Sequence, residues 1–300
     1  MPITKATLEE LPDLSEDYPL TQQQIQEYRD RGHVLLPNLI SQAEIDAYRP
    51  HILEAVERHQ DHNLSTEQLM QARRDNWIYI DNLWSLDRVT GRLILAPRFA
   101  KVAAELLDVD AVRLYRNQVM FKHPGAVRTP WHQDAQFFPM DAKKTVTLWF
   151  HLVDVTSEMA MMIFADGTHH YRRSLGNTGR DENEMREFAE SLFDRGYPLN
   201  ACRYYNAGDA EFIDGWNLHC TTDNDGDRTR ESLVAVYYPD GTRLGFPREV
   251  ASDAPILDRM AENARRQTRQ TCFPGLQPGD LAVTPMNPLV YNRHSDCGGK

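Results

Sequence analysis

The sequence predicts a mainly β fold with flanking helices, of the sandwich or barrel kind, on three observations. From about residue 111, the segments AVRLYRNQVMFKHP, TVTLWFHLVDV, MAMMIFADG, DAEFIDG and ESLVAVYYPDG are short and rich in β-branched and aromatic residues, with Gly, Pro and Asp turns between them. Ahead of them the segments carry helix caps and helical spacing. No internal repeat, low-complexity run or strong linker divides the 300 residues. The expectation is therefore one domain: a helix-rich support over about 20–110, a β core over about 111–240, and a tail over 241–300 that packs back.

Residues 1–20 are acidic and proline-spaced, an extended lead-in. LTQQQIQEYRDRG predicts a short helix, capped by Thr21 with Gln24 completing a capping box, and stopped at Gly32. HVLLPNLI reads as a short buried strand. SQAEIDAYRPHILEAVERH predicts a second helix, opened by Ser41 and Glu44, with Pro50 expected to kink it or end it early. RLILAPRFAKVAAELLD, about 92–108, predicts a further helix interrupted by its proline. Within the β region, RDENEMREFAESLFDRG predicts an amphipathic helix ending at Gly196. DAPILDRMAENARRQ predicts a helix in the tail.

A hydrophobic fraction of 41% can build a sizeable core. The net charge of −11 argues against a nucleic-acid partner and against an anionic membrane surface. The N-terminal residues lack the apolar core of a secretory signal, and no stretch approaches the roughly 20 apolar residues of a membrane span. The expectation is a cytoplasmic protein acting on a small molecule, its oligomeric state unreadable. Cys202, Cys220, Cys272 and Cys297 form no C-x-x-C pair and read as reduced thiols.

The chemistry concentrates in TPWHQDAQFFP. In a strand, residues i and i+2 share a face, so His132 and Asp134 project together. Two ligands are too few for a metal. The best third is His219, in DGWNLHCTTDNDGDRTRESLVAVYY. Two histidines and one carboxylate match the facial triad of non-haem Fe(II) oxygenases, in which three protein ligands leave the opposite face open for co-substrate and O₂. Arg230 follows His219 by 11 residues, and its guanidinium fork suits the far end of a dicarboxylate.

Plainer readings compete for several residues. His-x-Asp alone is common where an aspartate caps a turn. His169 and His170 are adjacent and read as structural, and His151 reads as a core histidine. Cys220 faces away from His219 and lacks the companions of a zinc site. TTDNDGDRTR lacks the twelfth-position glutamate of a calcium loop. Phe137, Phe138, Trp216 and the run NWIYIDNLW can be plain core. Tyr79, Asn82, Trp84, Gln136, Phe137 and Trp216 are nevertheless candidates for lining a substrate cavity, since aromatic residues flank the proposed metal ligands.

FKHPGAVRTPWHQDAQFFP resembles the metal-binding stretch of the phytanoyl-CoA dioxygenase family. GDAEFIDGWNLHCTTDNDGDRTRESLVAVYY resembles that family's second half-site, and TVTLWFHLVDVTSE its central strand. The resemblance covers roughly 20–240. It implies a double-stranded β-helix (jelly-roll, cupin-like) core, Fe(II) on His132, Asp134 and His219, and 2-oxoglutarate and O₂ as co-substrates. It further implies that Arg230 holds the distal carboxylate of 2-oxoglutarate, with Arg228 the fallback, that Trp149 lines that pocket, and that Gln118 and Thr129 donate to the keto-acid end. The chain departs from the family pattern at Met159, Ala160 and Asp166, which leaves the pocket wall open.

The implied activity is hydroxylation of an unactivated C–H bond, with release of succinate and CO₂. Related halogenases lack the carboxylate ligand that Asp134 supplies, which favours hydroxylation. Desaturation, epimerisation and cyclisation stay open. The aromatic residues and Met140, Met159, Met161 and Met162 suit a mostly apolar metabolite, as in natural-product tailoring. The alternatives are an acyl-CoA or amino-acid-derived substrate, a non-catalytic β-helix ligand-binding or sensor protein, and a zinc hydrolase, in which Arg230 would have no evident task.

Overall fold

Helix α1 (Gln22–Arg31) starts where Thr21 and Gln24 exchange side-chain-to-backbone hydrogen bonds, and stops on Gly32 at φ 84°. The structure is a computed structural model and describes residues 7–60, 66–140, 143–245 and 255–295. Cys297 lies outside the described residues; Cys202, Cys220 and Cys272 are unpaired. Strand β1 (His33–Leu36) is followed by α2 (Gln42–His59), capped by Ser41 and Glu44. The break expected at Pro50 does not occur. Tyr48 and Ile52, on either side of it, are fully buried, so packing holds a turn that lacks one N–H.

Next come α3 (Thr66–Arg74), β2 (Trp77–Asp81), α4 (Leu83–Leu86), α5 (Arg88–Ile94) and α6 (Pro97–Leu107). The helix expected over 92–108 is thus divided between α5 and α6. Pro97 opens α6, where the first turn has no use for its missing N–H. The β region runs β3 (Ala111–Lys122), β4 (Val146–His151), β5 (Val155–Thr156) and β6 (Met162–Ala165), then α7 (Glu182–Asp194). It continues with β7 (Leu199–Asn200), β8 (Tyr204–Tyr205), β9 (Ala210–Asp214), β10 (Leu218–Thr221) and β11 (Arg230–Pro239). Helix α8 (Pro255–Cys272) and β12 (Leu289–Asn292) follow.

Every strand pair among the described residues is antiparallel. The main sheet has the order β1-β9-β4-β11-β3-β12, with β2 also on β3; a smaller sheet has the order β10-β6-β7, and β5 pairs with β8. β2 and β12 share the outer edge of β3, β2 at its Lys122 end and β12 at its Ala111 end. This is the double-stranded β-helix, or jelly roll, flanked by helices.

Alternation along the central strands separates two cores. On β4, Val146, Leu148 and Phe150 pack with residues of α1, α2, α5 and α6. Trp149 joins Val234, Val236, Met162 and Phe164 between the two sheets. Each large apolar side chain so buried contributes roughly 1.5–3 kcal/mol.

The alternation slips once. Between Val236 and Tyr237 the register with β3 jumps, from Val236↔Arg116 to Tyr237↔Leu114, so Tyr115 is an extra residue in a β-bulge. Val112 and Leu114 before it, and Val119 and Phe121 after it, all face the helix-side core. The bulge lets both Tyr115 and Arg116 face the space between the sheets.

Candidate metal centre

His132 and His219 lie opposite one another, each backbone N–H donating to the other's carbonyl at 3.0 Å. The strand expected through His132 and Asp134 is only this single bridge, and Asp134 opens a 3₁₀ turn, Asp134–Phe137. Pro130 has no N–H to extend a ladder, and the Ala135 N–H donates to the Gly215 carbonyl at 2.8 Å, which turns the chain.

The turn nonetheless brings the expected groups together. One ligand atom from each of His132, Asp134 and His219 lies within 4.8 Å of the others. His132 Nδ1 is 2.8 Å from the Pro130 carbonyl and His219 Nδ1 is 3.0 Å from the Asn217 carbonyl. A carbonyl only accepts, so each Nδ1 carries the proton and each Nε2 presents its lone pair. The two Nε2 atoms stand 3.5 Å and 4.0 Å from Asp134 Oδ1. Two lone pairs and a carboxylate converging on one point fit a divalent cation.

Thr147 donates to Asp134 Oδ2 at 2.7 Å and fixes the carboxylate. Burial opposes ionisation of Asp134. The imidazoles of His132 and His219 when protonated, together with the Thr147 hydroxyl, outweigh it and hold the carboxyl well below the usual range. Burial, and then His132, push His219 down to about 4, so it is neutral and able to ligate at neutral pH.

His132, Asp134, Thr147 and His219 line one cavity, shared with Gln118, Thr129, Trp149 and Arg230. Arg230 is 1% exposed. Its Nη1 donates to the Ala160 carbonyl at 2.5 Å, and its guanidinium carbon lies 4.8 Å from the Trp149 ring centre. Its Nε has no partner, and among the described residues no carboxylate pairs with it. Burial pushes this cation down to about 9. A buried guanidinium without an anion fits a carboxylate supplied by a ligand. Arg228 reaches the Met159 sulfur at 3.9 Å and does not line the cavity.

Thr129 is held from behind. Lys122, fully buried on β3, donates to Thr129 Oγ1 at 3.0 Å, to Thr221 Oγ1 at 2.7 Å and to the Val127 carbonyl at 3.1 Å. With both hydroxyl oxygens accepting, their protons are free to donate elsewhere. Gln118 differs from expectation: its amide N–H groups are engaged by Tyr79 Oη and by Asp81 Oδ1 at 3.1 Å, which leaves Oε1 as its free group.

The remaining candidates lie off the cavity wall. Tyr79 stands one residue behind it, against Gln118. Asn82 caps α4 and accepts the Asn117 N–H at 3.2 Å, and Trp84 packs on the helix-side core. Gln136 is buried against Gln133 and Ser174, and its carbonyl accepts from Arg265 at 2.6 Å. Trp216 is 1% exposed between the sheets. The Phe137 ring centre lies 6.3 Å from that of His132. Thr147, Thr221 and Arg116 were not anticipated, yet all line the cavity. Thr147 was within reach of the period-two rule, two residues before Trp149. His151 and His169 are buried, bonded to Ser232 Oγ at 3.1 Å and the Arg29 carbonyl at 3.0 Å. Asp223 of the acidic loop pairs with Arg128.

Several solved structures share this fold. The chain superposes on the non-haem α-ketoglutarate-dependent carbocyclase SnoK of nogalamycin biosynthesis with a TM-score of 0.66, at 24% identity, covering 90% of this chain and 96% of that one. It superposes on the epimerase SnoN, in complex with Fe³⁺, α-ketoglutarate and nogalamycin RO, with a TM-score of 0.64 at 22% identity, covering 90% and 98%. A sequence relative, the methylphosphonate hydroxylase of Gimesia maris, is 22% identical over 224 residues, 73% of this chain and 80% of that protein. The model of the phytanoyl-CoA dioxygenase (PhyH) family matches residues 28–232. The chain thus belongs to the phytanoyl-CoA dioxygenase family of Fe(II)- and 2-oxoglutarate-dependent oxygenases.

Proposed function

We propose that the protein hydroxylates a C–H bond of a small, largely apolar metabolite, in the manner of natural-product tailoring. His132, Asp134 and His219 hold Fe(II), and Arg230 holds 2-oxoglutarate. The observation that carries this reading is the pairing, in one cavity, of a His-Asp-His cluster with a buried guanidinium that lacks an anion. Bound iron with 2-oxoglutarate and O₂ supplies the oxidation: the substrate C–H becomes C–OH, and 2-oxoglutarate becomes succinate and CO₂.

The chain's own residues bind and orient. Arg230 takes the distal carboxylate, and its place on the Trp149 face fixes the plane of the fork. Thr129 and Thr221, held by Lys122, offer hydroxyl protons inside the cavity. Met120, Phe138, Met162, Ile213, Val234 and Val236 supply apolar wall against the body of a substrate and keep bulk water out. Asp134 fills the position that a halide would need, which supports hydroxylation.

The test is succinate formation from 2-oxoglutarate in the Fe(II)-loaded enzyme under O₂, with a mass-shift screen of candidate metabolites. Asp134→Gly is expected to abolish substrate hydroxylation. Full activity in that variant would sink the ligand assignment.

A further inference from the structure

A second guanidinium stands in the same cavity without a task in that hydroxylation. Arg116 lines it together with the metal cluster and Arg230. Its Nε is buried without a partner, and among the described residues no carboxylate pairs with it. Its guanidinium carbon lies 5.4 Å from the Tyr115 ring centre and 5.8 Å from that of Phe138. The nearby Asp81 carboxylate is occupied, accepting from Tyr79 Oη and Gln118 Nε2, each at 3.1 Å. Burial opposes the charge of Arg116 and the Asp81 carboxylate supports it without gripping it, so Arg116 stays a cation.

Its place along the sheet separates it from Arg230. Arg230 pairs with Lys122 at one end of β3, whereas Arg116 pairs with Val236, six residues further along β11. At about 3.3 Å per residue the two backbone positions are about 20 Å apart. Val236 also pairs with Thr147 on β4, the residue that holds the Asp134 carboxylate. Arg116 and Thr147 therefore flank β11 in one row, about 10 Å apart at the usual strand spacing. An anion on Arg230 lies on one side of the metal cluster's row. An anion on Arg116 lies within that row.

We propose that Arg116 anchors an oxyanion of the substrate, a carboxylate or phosphonate, so that the enzyme oxidises a small molecule with an apolar body and an anionic end. This rests on the oxygenase reading. The β-bulge at Tyr115 is the device that delivers the side chain, because it turns Arg116 from the helix-side face to the cavity. Binding at Arg116 sets which C–H bond faces the metal cluster, so Arg116 selects the substrate and is not a group that reacts.

The anaerobic Fe(II)- and 2-oxoglutarate-saturated enzyme tests this by calorimetry, with phenylacetate and phenylphosphonate as probes beside phenylacetamide and dimethyl phenylphosphonate. Saturating 2-oxoglutarate keeps the probes off Arg230. An anion is expected to bind about tenfold to a hundredfold more tightly than its neutral partner, the range of charge-assisted hydrogen bonds. Arg116→Gln should erase that preference and Arg116→Lys restore part of it, with melting temperature and the visible band of the iron chelate unchanged. Equal binding of anion and neutral partner, no binding of either anion, or a preference that survives Arg116→Gln overturns the proposal. Absence of the chelate band in wild type overturns the oxygenase reading, and this proposal with it.

Discussion

At the scale of single residues, the candidate site depends on groups that hold other groups. Asp134 accepts from Thr147, and each triad histidine is oriented by a carbonyl. Thr147→Val keeps the shape and removes the donor. It is expected to weaken Fe(II) binding about tenfold or more, the usual loss for an outer-shell partner, measured by competition with a metal indicator. His132, Asp134, His219 and Arg230 could be named from sequence because their residue types are rare together and two of them fall at i and i+2. Arg116 could not. Strict alternation places it with Val112 and Leu114 on the helix-side face, and only the bulge at Tyr115 reverses that. Lys122 escaped notice for another reason: a lone lysine in a strand carries no signal until its acceptors, Val127, Thr129 and Thr221, are seen around it.

At the scale of elements, the starts of α1 and α2 were legible, because a capping box is a local pattern. The continuation of α2 through Pro50 was not, because what rescues it is burial of Tyr48 and Ile52 against other elements. The metal turn has the same dependence on a distant segment. The Gly215 carbonyl accepts the Ala135 N–H at 2.8 Å, and a Cβ on Gly215 would lie 2.1 Å from Thr145 Oγ1 and 3.3 Å from Ala135 Cβ. Gly215→Ala must therefore displace Thr145 or the β9–β10 turn, and with that turn the Gly215 carbonyl that holds Ala135 beside Asp134. The expected result is an Fe(II) dissociation constant raised about tenfold or more while the far-ultraviolet circular dichroism is kept, since small displacements of ligands are costly. Unchanged metal affinity would show that the two turns are not mechanically linked.

At the scale of the whole molecule, the two sheets are tied by a charged clamp that no local pattern reveals. His33 on β1 lies 2.7 Å from Glu211 on β9 and 2.9 Å from Asp166, just after β6, and its ring stacks on Phe164 at 3.9 Å. Burial disfavours the charged imidazole, but the two carboxylates outweigh it and raise His33 above its ordinary 6.5. A histidine raised on folding gives its stabilisation in full below the unfolded value, and loses it as pH rises through the folded value. Stability to guanidinium is thus expected to fall as pH rises above about 6.5, and the fall should be smaller in His33→Gln. Equal pH dependence in both proteins would rule out the clamp as its source. Pairings such as β1 with β9 span most of the chain, so the sequence foretold a jelly roll by resemblance and strand rhythm, not by register.

The central claim is that one cavity joins an iron site to a 2-oxoglutarate site, and anaerobic titration of the apoprotein with Fe(II) and 2-oxoglutarate tests it most directly. Wild type is expected to show the weak visible charge-transfer band of the chelate. The band should weaken in Arg230→Ala, with 2-oxoglutarate bound about tenfold to a hundredfold less tightly, as when a charge-assisted pair is lost. It should be absent in His219→Ala. Metal bound without any band, or a band indifferent to both substitutions, would contradict the account.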